Sequence, residues 1–261
     1  MRIVRYADGA IRYGLLDKDG TIRPLIGTPF ESLETTGPAT HVDKVRLLAP
    51  VAPRNLYGVG LNYVKHAQEV KLPLPAVPML FMKPTSAVIG PGAPILYPSA
   101  KAEKNVHFEA EVAVVIGKAA RRTGEAHALD YVLGYTCGND VSERVIQAAE
   151  MKQGCLLVGK AYDSFNPLGP AIETDLDPGN ITILGRVNGE ERQNSNTNDL
   201  VYSIRQLVAY LSDAFTLLPG DIIMTGTPSG VGPVVPGDVV EIEIPQVGVL
   251  RNPVVDDATS R

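Results

Sequence analysis

Hydrophobic and polar residues alternate along the chain in short runs cut by glycine and proline. "RIVRYA", "IRYGLL" and "TIRPLI" each read as a strand with one wet face. Asp8-Gly9 and Asp19-Gly20 between them supply the positive φ that tight hairpins need. Residues 1–50 are therefore expected to form a small β domain, ending in a looser linker, "ETTGPATHV". The texture changes from Pro53. "NLYGVG" reads as a strand and "NYVKHAQEV" as a short helix with Asn62 as N-cap. In "KLPLPAVP" each proline removes a backbone donor, which forbids a helix or a central strand. A proline-punctuated stretch beside a short polar helix is expected to be a mobile loop or lid.

Short strands follow in "MLFMK", "AVIG", "PILY", "HFEAEVAVVIGK" and "YVLGYTCGND". "SERVIQAAEMKQ" has helical composition, and "ITILGRVNGEER" is a hairpin turning at Asn188-Gly189. "DLVYSIRQLVAYLSDA" is the best amphipathic helix. Val201, Ile204, Leu207, Val208 and Leu211 share a face, and Asp199 is the expected N-cap. The end returns to strands in "GDIIMTG", "GDVVEIEI" and "VGVLRNPVV". The regular strand–helix alternation of a doubly wound sheet is missing, so the expected class is α+β, mostly β.

Composition narrows this picture. A net charge of −5 leaves no electrostatic footprint for nucleic acid or an anionic membrane. No apolar run reaches the length of a membrane span, and "MRIVRYADG" lacks a signal-peptide core. Two cysteines without a CxxC fit a reducing, cytoplasmic setting. "GVGLNY" has Tyr63 where a dinucleotide fingerprint needs glycine, and "GTPSGVG" is neither a P-loop nor a nucleophile elbow.

Chemistry enters at "HFEAEVAVVIGK", residues 107–118. It finishes as a buried strand yet begins with Glu109 and Glu111. Residues two apart on a strand share a face. Two carboxylates there repel by roughly 2–3 kcal/mol at an effective dielectric of about 20. A cation between them relieves this. Asp140, ending the next long strand, offers a third hard oxygen donor of the kind magnesium or manganese takes. Spacing alone equally allows a solvated strand end, with Asp140 capping the helix that starts near Ser142. Lys160 and Arg144 either offset the negative charge, grip an anionic substrate, or are ordinary surface cations. His66 and Glu69 share a helix face, as an exposed pair or as a base oriented by a carboxylate.

Six stretches, "GVGLNYVKHAQEV", "HFEAEVAVVIG", "GYTCGNDVSER", "GKAYDSFNPLGPAI", "VNGEERQNSNTNDLVYSI" and "LLPGDIIMTGTPSGVGPVVPGDVVEIEI", carry a resemblance in their order and spacing. The sequence resembles the fumarylacetoacetate hydrolase superfamily through most of residues 53 to 255. Residues 1–50 resemble the small N-terminal domain of its short bacterial members. The resemblance implies a mixed β-roll catalytic domain over residues 51–261, usually assembled as a homodimer. It implies Mg2+ or Mn2+ held by Glu109, Glu111 and Asp140, and a catalytic dyad of His66 and Glu69 on a segment that orders over substrate. Lys160 would contact the substrate. Arg144, Gln147, Thr225, Gly226 and Thr227 would line its site, a threonine contacting the substrate carboxylate.

Family substrates carry a 2-oxo acid unit. The resemblance therefore implies hydrolysis of a 2,4-dioxo acid of the acylpyruvate or fumarylpyruvate type, with His66 activating water. Decarboxylation of oxaloacetate-like acids and isomerisation of hydroxymuconate-type or 2-hydroxyhepta-2,4-diene-1,7-dioate-type dienes are the alternatives. Water attack needs a base, so the retained dyad favours hydrolysis, or a decarboxylase closing a similar lid, and weighs against a pure isomerase without excluding one. A member that only binds would have lost a metal carboxylate, the lysine or the dyad, and none is lost here. Two departures fall near the expected pocket. Glu143-Arg144-Val145 stands where many members have Ala-Arg-Asp, and "MKQGCLLVG" replaces a tryptophan-containing stretch. They point to a larger or less polar distal group.

Overall fold

Strand Ala110–Ile116 is buried along its whole length. In this computed structural model, which describes residues 1–98 and 105–257, two cores meet on it. Val112, Val114 and Ile116 face a core shared with Ile183, Val187, Ile242 and Ile244. Ala113 and Val115 face a second core with Ile3, Leu56, Leu168, Ile172 and Ile222. Burial on both faces explains why this strand reads as one apolar run without alternation.

The strand pairs antiparallel with Val132–Asn139 on one side and Ile222–Met224 on the other. These are the centre of a large sheet that runs outward through Leu56–Gly60 to Met79–Lys83 at one edge. On the other side it runs through Asn166–Glu173 to Arg2–Ala7 and the N-terminal meander. A five-stranded sheet of Glu190–Asn196, Thr182–Val187, Val239–Ile244, Gly248–Asp256 and Ile95–Tyr97 packs against the first core. Helices are few among the described residues: α1 (Val64–Glu69), α2 (Arg144–Lys152), α3 (Ile204–Ala214) and short 3-10 turns. The α3 face of Ile204, Leu207, Val208 and Leu211 closes the first core. The chain is α+β and mostly β, as its patterning predicts. No described helix is long and apolar enough to cross a membrane.

The turn chemistry predicts the hairpins well. Asn188 (φ 54°) and Gly189 (φ 80°) make a two-residue turn between Thr182–Val187 and Glu190–Asn196. The long-range partners differ from expectation. "ETTGPATHV" is no free linker: Thr35 bridges Leu25, and Thr40–His41 pairs with Thr21 and Ile22. The meander is also not detached, because Arg2 and Ile3 pair with Glu173 and Ile172.

Three local expectations are corrected. The 107–118 stretch is two strands broken at Glu109, since Val106–Phe108 pairs with Ser142–Glu143 and Gly232–Pro233 in a separate small sheet. Asn62 does not cap α1. Its amide nitrogen donates to the carbonyls of Tyr202 and Thr225, and its oxygen accepts from the Tyr202 amide. Asp199 does not cap α3, which starts later with a capping box of Ser203 and Gln206. Asp199 instead accepts from the Lys65 amide in the first turn of α1, and Val201 lies outside the helix. For Asn62 and Asp199 a polar side chain with good local capping geometry is taken by a partner remote in sequence.

Burial pushes the Cys137 thiol up to about 12, whereas Cys155 is exposed. At pH 8 the folded protein is therefore expected to react at one thiol with Ellman's reagent, and at two after denaturation. Two fast thiols in the folded state would contradict this packing.

Candidate metal centre and active site

The break at Glu109 builds the site. Because the ladder is interrupted, the Glu109 amide donates to Asn139 Oδ1 and the Ala110 amide to Gln193 Oε1. The Asp140 amide donates to the Glu109 carbonyl, which ties the two acidic positions together. Glu111 lies on the central strand, and its carboxylate accepts from the Gly226 amide at 2.8 Å. Glu109, Glu111 and Asp140 are each at most 5% exposed and offer oxygens within 4.8 Å of one another.

Three cations converge on this group. Lys160 Nζ donates to Glu109 Oε2 at 2.8 Å and Asp140 Oδ2 at 2.7 Å. Arg144 contacts Glu109 Oε1 at 2.6 Å. Lys83 donates to Asp140 Oδ1 and to the Phe165 carbonyl. Burial opposes the charge of Glu109, but Lys160 and Arg144 overcome it and hold the carboxyl below its usual range. Burial, with Asp140 and Glu109 alongside, pushes Glu111 well above the usual carboxylate range. Burial also opposes the Lys160 charge, and Asp140 and Glu109 outweigh it. For Lys83 burial wins over the Asp140 attraction, and its pKa falls. A carboxyl that burial and two neighbouring carboxylates drive to keep its proton is a position a divalent cation fits. The all-oxygen donor set suits a hard ion.

The loop after α2 sets Lys160. Glu150 accepts from the amides of Leu157, Val158 and Gly159 at 3.2, 2.7 and 3.0 Å, which folds the chain back onto α2. A Cβ at Gly159 would lie 2.7 Å from the Gln147 amide nitrogen, so the close approach needs glycine. Glu143 caps α2 by accepting from the Val145 and Ile146 amides. Asp140 is thereby left to the acidic cluster and not to the helix. Glu143 is buried at that cap and does not line the cavity.

His66 and Glu69 face each other across one turn of α1, with Nδ1 2.9 Å from Glu69 Oε2. A carboxylate oxygen accepts here, so Nδ1 is the ring's donor to Glu69, and a neutral ring would carry its lone pair on Nε2. The other Glu69 oxygen accepts from the Gly230 amide at 3.0 Å, tying α1 to the 225–231 loop. The proline-rich segment after α1 is fastened by the Tyr202 hydroxyl, which donates to the Pro75 carbonyl at 2.7 Å.

A cavity of about 150 Å3 brings together Glu109, Glu111, Asp140, Lys160, His66, Arg144, Gln147 and Thr227. Gln147 Oε1 accepts from Arg144 at 2.7 Å and so orients the guanidinium. Thr225 and Gly226 stand behind this wall. The Thr225 hydroxyl donates to the Val112 carbonyl, and Gly226 serves Glu111. Two residues escape the sequence reading. Lys83 ends an apolar strand whose Leu80 and Met82 point outward while Phe81 and Lys83 point inward. That inverted alternation is its only signal. Gln193, on a polar hairpin strand, is fully buried and bonds Thr227 Oγ1 and the Pro228 carbonyl. Nothing local marks it.

Fold and donor set together define a mostly-β protein with a three-carboxylate centre roofed by a histidine-bearing helix. Residues 55–255 match the fumarylacetoacetate (FAA) hydrolase C-terminal family, and residues 1–50 match the Rv2993c-like N-terminal family. The chain belongs to the fumarylacetoacetate hydrolase family. It is 45% identical over 222 residues to the mitochondrial oxaloacetate tautomerase of Xenopus laevis, covering 81% of this chain and 69% of that one. Its fold is similar to 5-carboxymethyl-2-hydroxymuconate delta-isomerase from Mycobacterium smegmatis, with TM-score 0.90, 40% identity and coverage of 98% and 100%. It is also similar to maleylpyruvate hydrolase from Sphingobium sp. SYK-6 in complex with manganese (II) and pyruvate. There the TM-score is 0.81, the identity 33%, and the coverage 98% and 99%.

Lys83→Met leaves Asp140 short of a buried partner and is expected to cost about 3–5 kcal/mol in metal-free protein. Added Mg2+ or Mn2+ should raise the melting temperature more in this variant than in the parent, because the ion supplies the missing positive charge. Glu109→Gln is expected to weaken metal binding by at least about tenfold in calorimetric titration. An equal metal increment in Lys83→Met, or unchanged affinity in Glu109→Gln, would refute the charge account.

Proposed function

We propose that the chain is a divalent-metal-dependent hydrolase of a 2,4-dioxo acid of the acylpyruvate type. Glu109, Glu111 and Asp140 would hold Mg2+ or Mn2+. The observation that carries this reading is His66 on the wall of the carboxylate cavity with its Nδ1 2.9 Å from Glu69 Oε2, which would leave Nε2 of a neutral ring free to accept a proton. A bound divalent ion would supply Lewis acidity at the 2-oxo acid end of the substrate. His66 Nε2 takes a proton from water as its oxygen attacks the 4-oxo carbon, and Glu69 stabilises the imidazolium. The C3–C4 bond then breaks. Its electron pair passes to the pyruvate fragment as an enolate, and the acyl fragment leaves as a carboxylic acid. The developing negative charge faces the Lys160 ammonium and Arg144 guanidinium. Transfer of that proton from the His66 imidazolium to C3 completes pyruvate and restores the base.

A second reading is favoured by the named relative: interconversion of the keto and enol forms of oxaloacetate, which needs the same enolate and no water. Acetylpyruvate and oxaloacetate, followed by ultraviolet absorbance with manganese or with EDTA, separate the two. Manganese-dependent conversion of acetylpyruvate to acetate and pyruvate is expected, and His66→Ala should lower it by about 10²–10⁴-fold with metal affinity retained. Faster oxaloacetate enol decay without carbon loss, and no acetylpyruvate cleavage, would replace hydrolysis by tautomerisation. Carbon dioxide release from oxaloacetate would replace it by decarboxylation.

The chain is further proposed to work as a homodimer in a reducing cytoplasm, a setting its two free thiols suit. Beyond Met79, which lines the carboxylate cavity, the edge strand Met79–Lys83 exposes Leu80 and Met82. Beside it lies an apolar groove of about 490 Å3 lined by Met82, Leu157, Val158 and Tyr162 among others. An edge strand with exposed apolar side chains invites pairing, and a second copy satisfies it with the same patch. Light scattering should give twice the chain mass, and Met82→Lys should shift it toward monomer. A monomeric parent would refute the dimer.

A further inference from the structure

The cavity over the carboxylates changes character from floor to mouth. At the floor Glu109, Glu111, Asp140 and Lys160 are all but sealed from water. At the mouth stand Val70, Leu72, Met79 and Met151, between 37% and 49% exposed, with the half-buried Leu156 on the same lining. The cations that line the cavity are committed below. Lys160 holds Glu109 and Asp140, and Arg144 holds Glu109 and Gln147. His66 is engaged by Glu69. Among the described lining residues the lysine and arginine are Lys160, which is sealed, and Arg144, whose partly exposed guanidinium is held by Glu109 and Gln147. A 2-oxo acid anchored at the floor points its far end outward, against methyl and thioether groups. A carboxylate there would leave water without a countercharge, which is unfavourable. An alkyl group would gain from the same contact, and the two methionines can adapt to its shape.

We propose that the far end of the substrate is an uncharged alkyl group laid against Val70, Leu72, Met79, Met151 and Leu156. The chain thus selects aliphatic acylpyruvates over homologues that end in a second carboxylate. This rests on the acylpyruvate reading above and adds the identity of the acyl group to it. Val70 and Leu72 end and follow α1, so the alkyl group would touch the segment that carries His66.

The test uses the full chain loaded with manganese and two 2-oxo acids of equal length, 2-oxopentanoate and 2-oxoglutarate. They differ only in a terminal methyl or carboxylate, and neither is an acylpyruvate, so calorimetric binding is read without turnover. 2-Oxopentanoate is expected to bind about tenfold or more tighter. From pyruvate upward, each added methylene should gain about fourfold until the cavity is filled. Met151→Lys, at an exposed position that tolerates charge, should shrink or reverse the preference. Equal or tighter binding of 2-oxoglutarate by the parent overturns the proposal, as does binding of neither acid while manganese is bound. If the ranking holds but acetylpyruvate is not cleaved, the hydrolase reading fails and the alkyl site stands. If acetylpyruvate is cleaved while 2-oxoglutarate ranks equal, the alkyl site alone fails.

Discussion

Glu109, Glu111 and Asp140 repel one another at close range in a place that water barely reaches, and the surrounding elements are arranged against that repulsion. Lys83 comes from an edge strand, Arg144 from α2 and Lys160 from a turn folded back by Glu150. Three formal negative charges thus meet three positive ones. Burial nevertheless leaves Glu111 disposed to keep a proton and Lys83 disposed to lose one. A divalent ion held by the three carboxylates would relieve the first by adding positive charge where Glu111 otherwise keeps a proton.

The roof and the floor of the cavity share their supports. Gly226 donates to Glu111 while its own Cα packs against Asn62, just before α1. With φ of 97° and Asn62 Cβ only 2.7 Å from where a side chain would begin, that position needs glycine. Asn62 in turn bonds Thr225 and Tyr202, and Tyr202 fastens the proline-rich segment. Glu69 orients His66 with one oxygen and holds the Gly230 amide with the other. A shift of α1 therefore moves the base, the loop behind Glu111 and the apolar mouth together.

Much of this was legible in the chain. Asp-Gly and Asn-Gly dipeptides place hairpins because their backbone preference is local. The apolar run 112–116 marks the doubly buried strand, and the i, i+3 spacing of His66 and Glu69 sets their contact.

Other features became visible only in three dimensions. Local spacing made Asn62, Asp199 and Asp140 good caps, yet each is taken by a distant partner. Lys83 sits in an apolar strand and Gln193 in a polar one, and both are turned inward. The sequence by itself determined the elements, their turns and the kinds of donor available, because these follow from backbone preference and side-chain chemistry within a few residues. The tertiary structure alone decided which carboxylates lose their water and which lysines answer them. Burial and pairing join residues such as Glu111 and Gly226, 115 positions apart in the chain, and no local pattern carries that information.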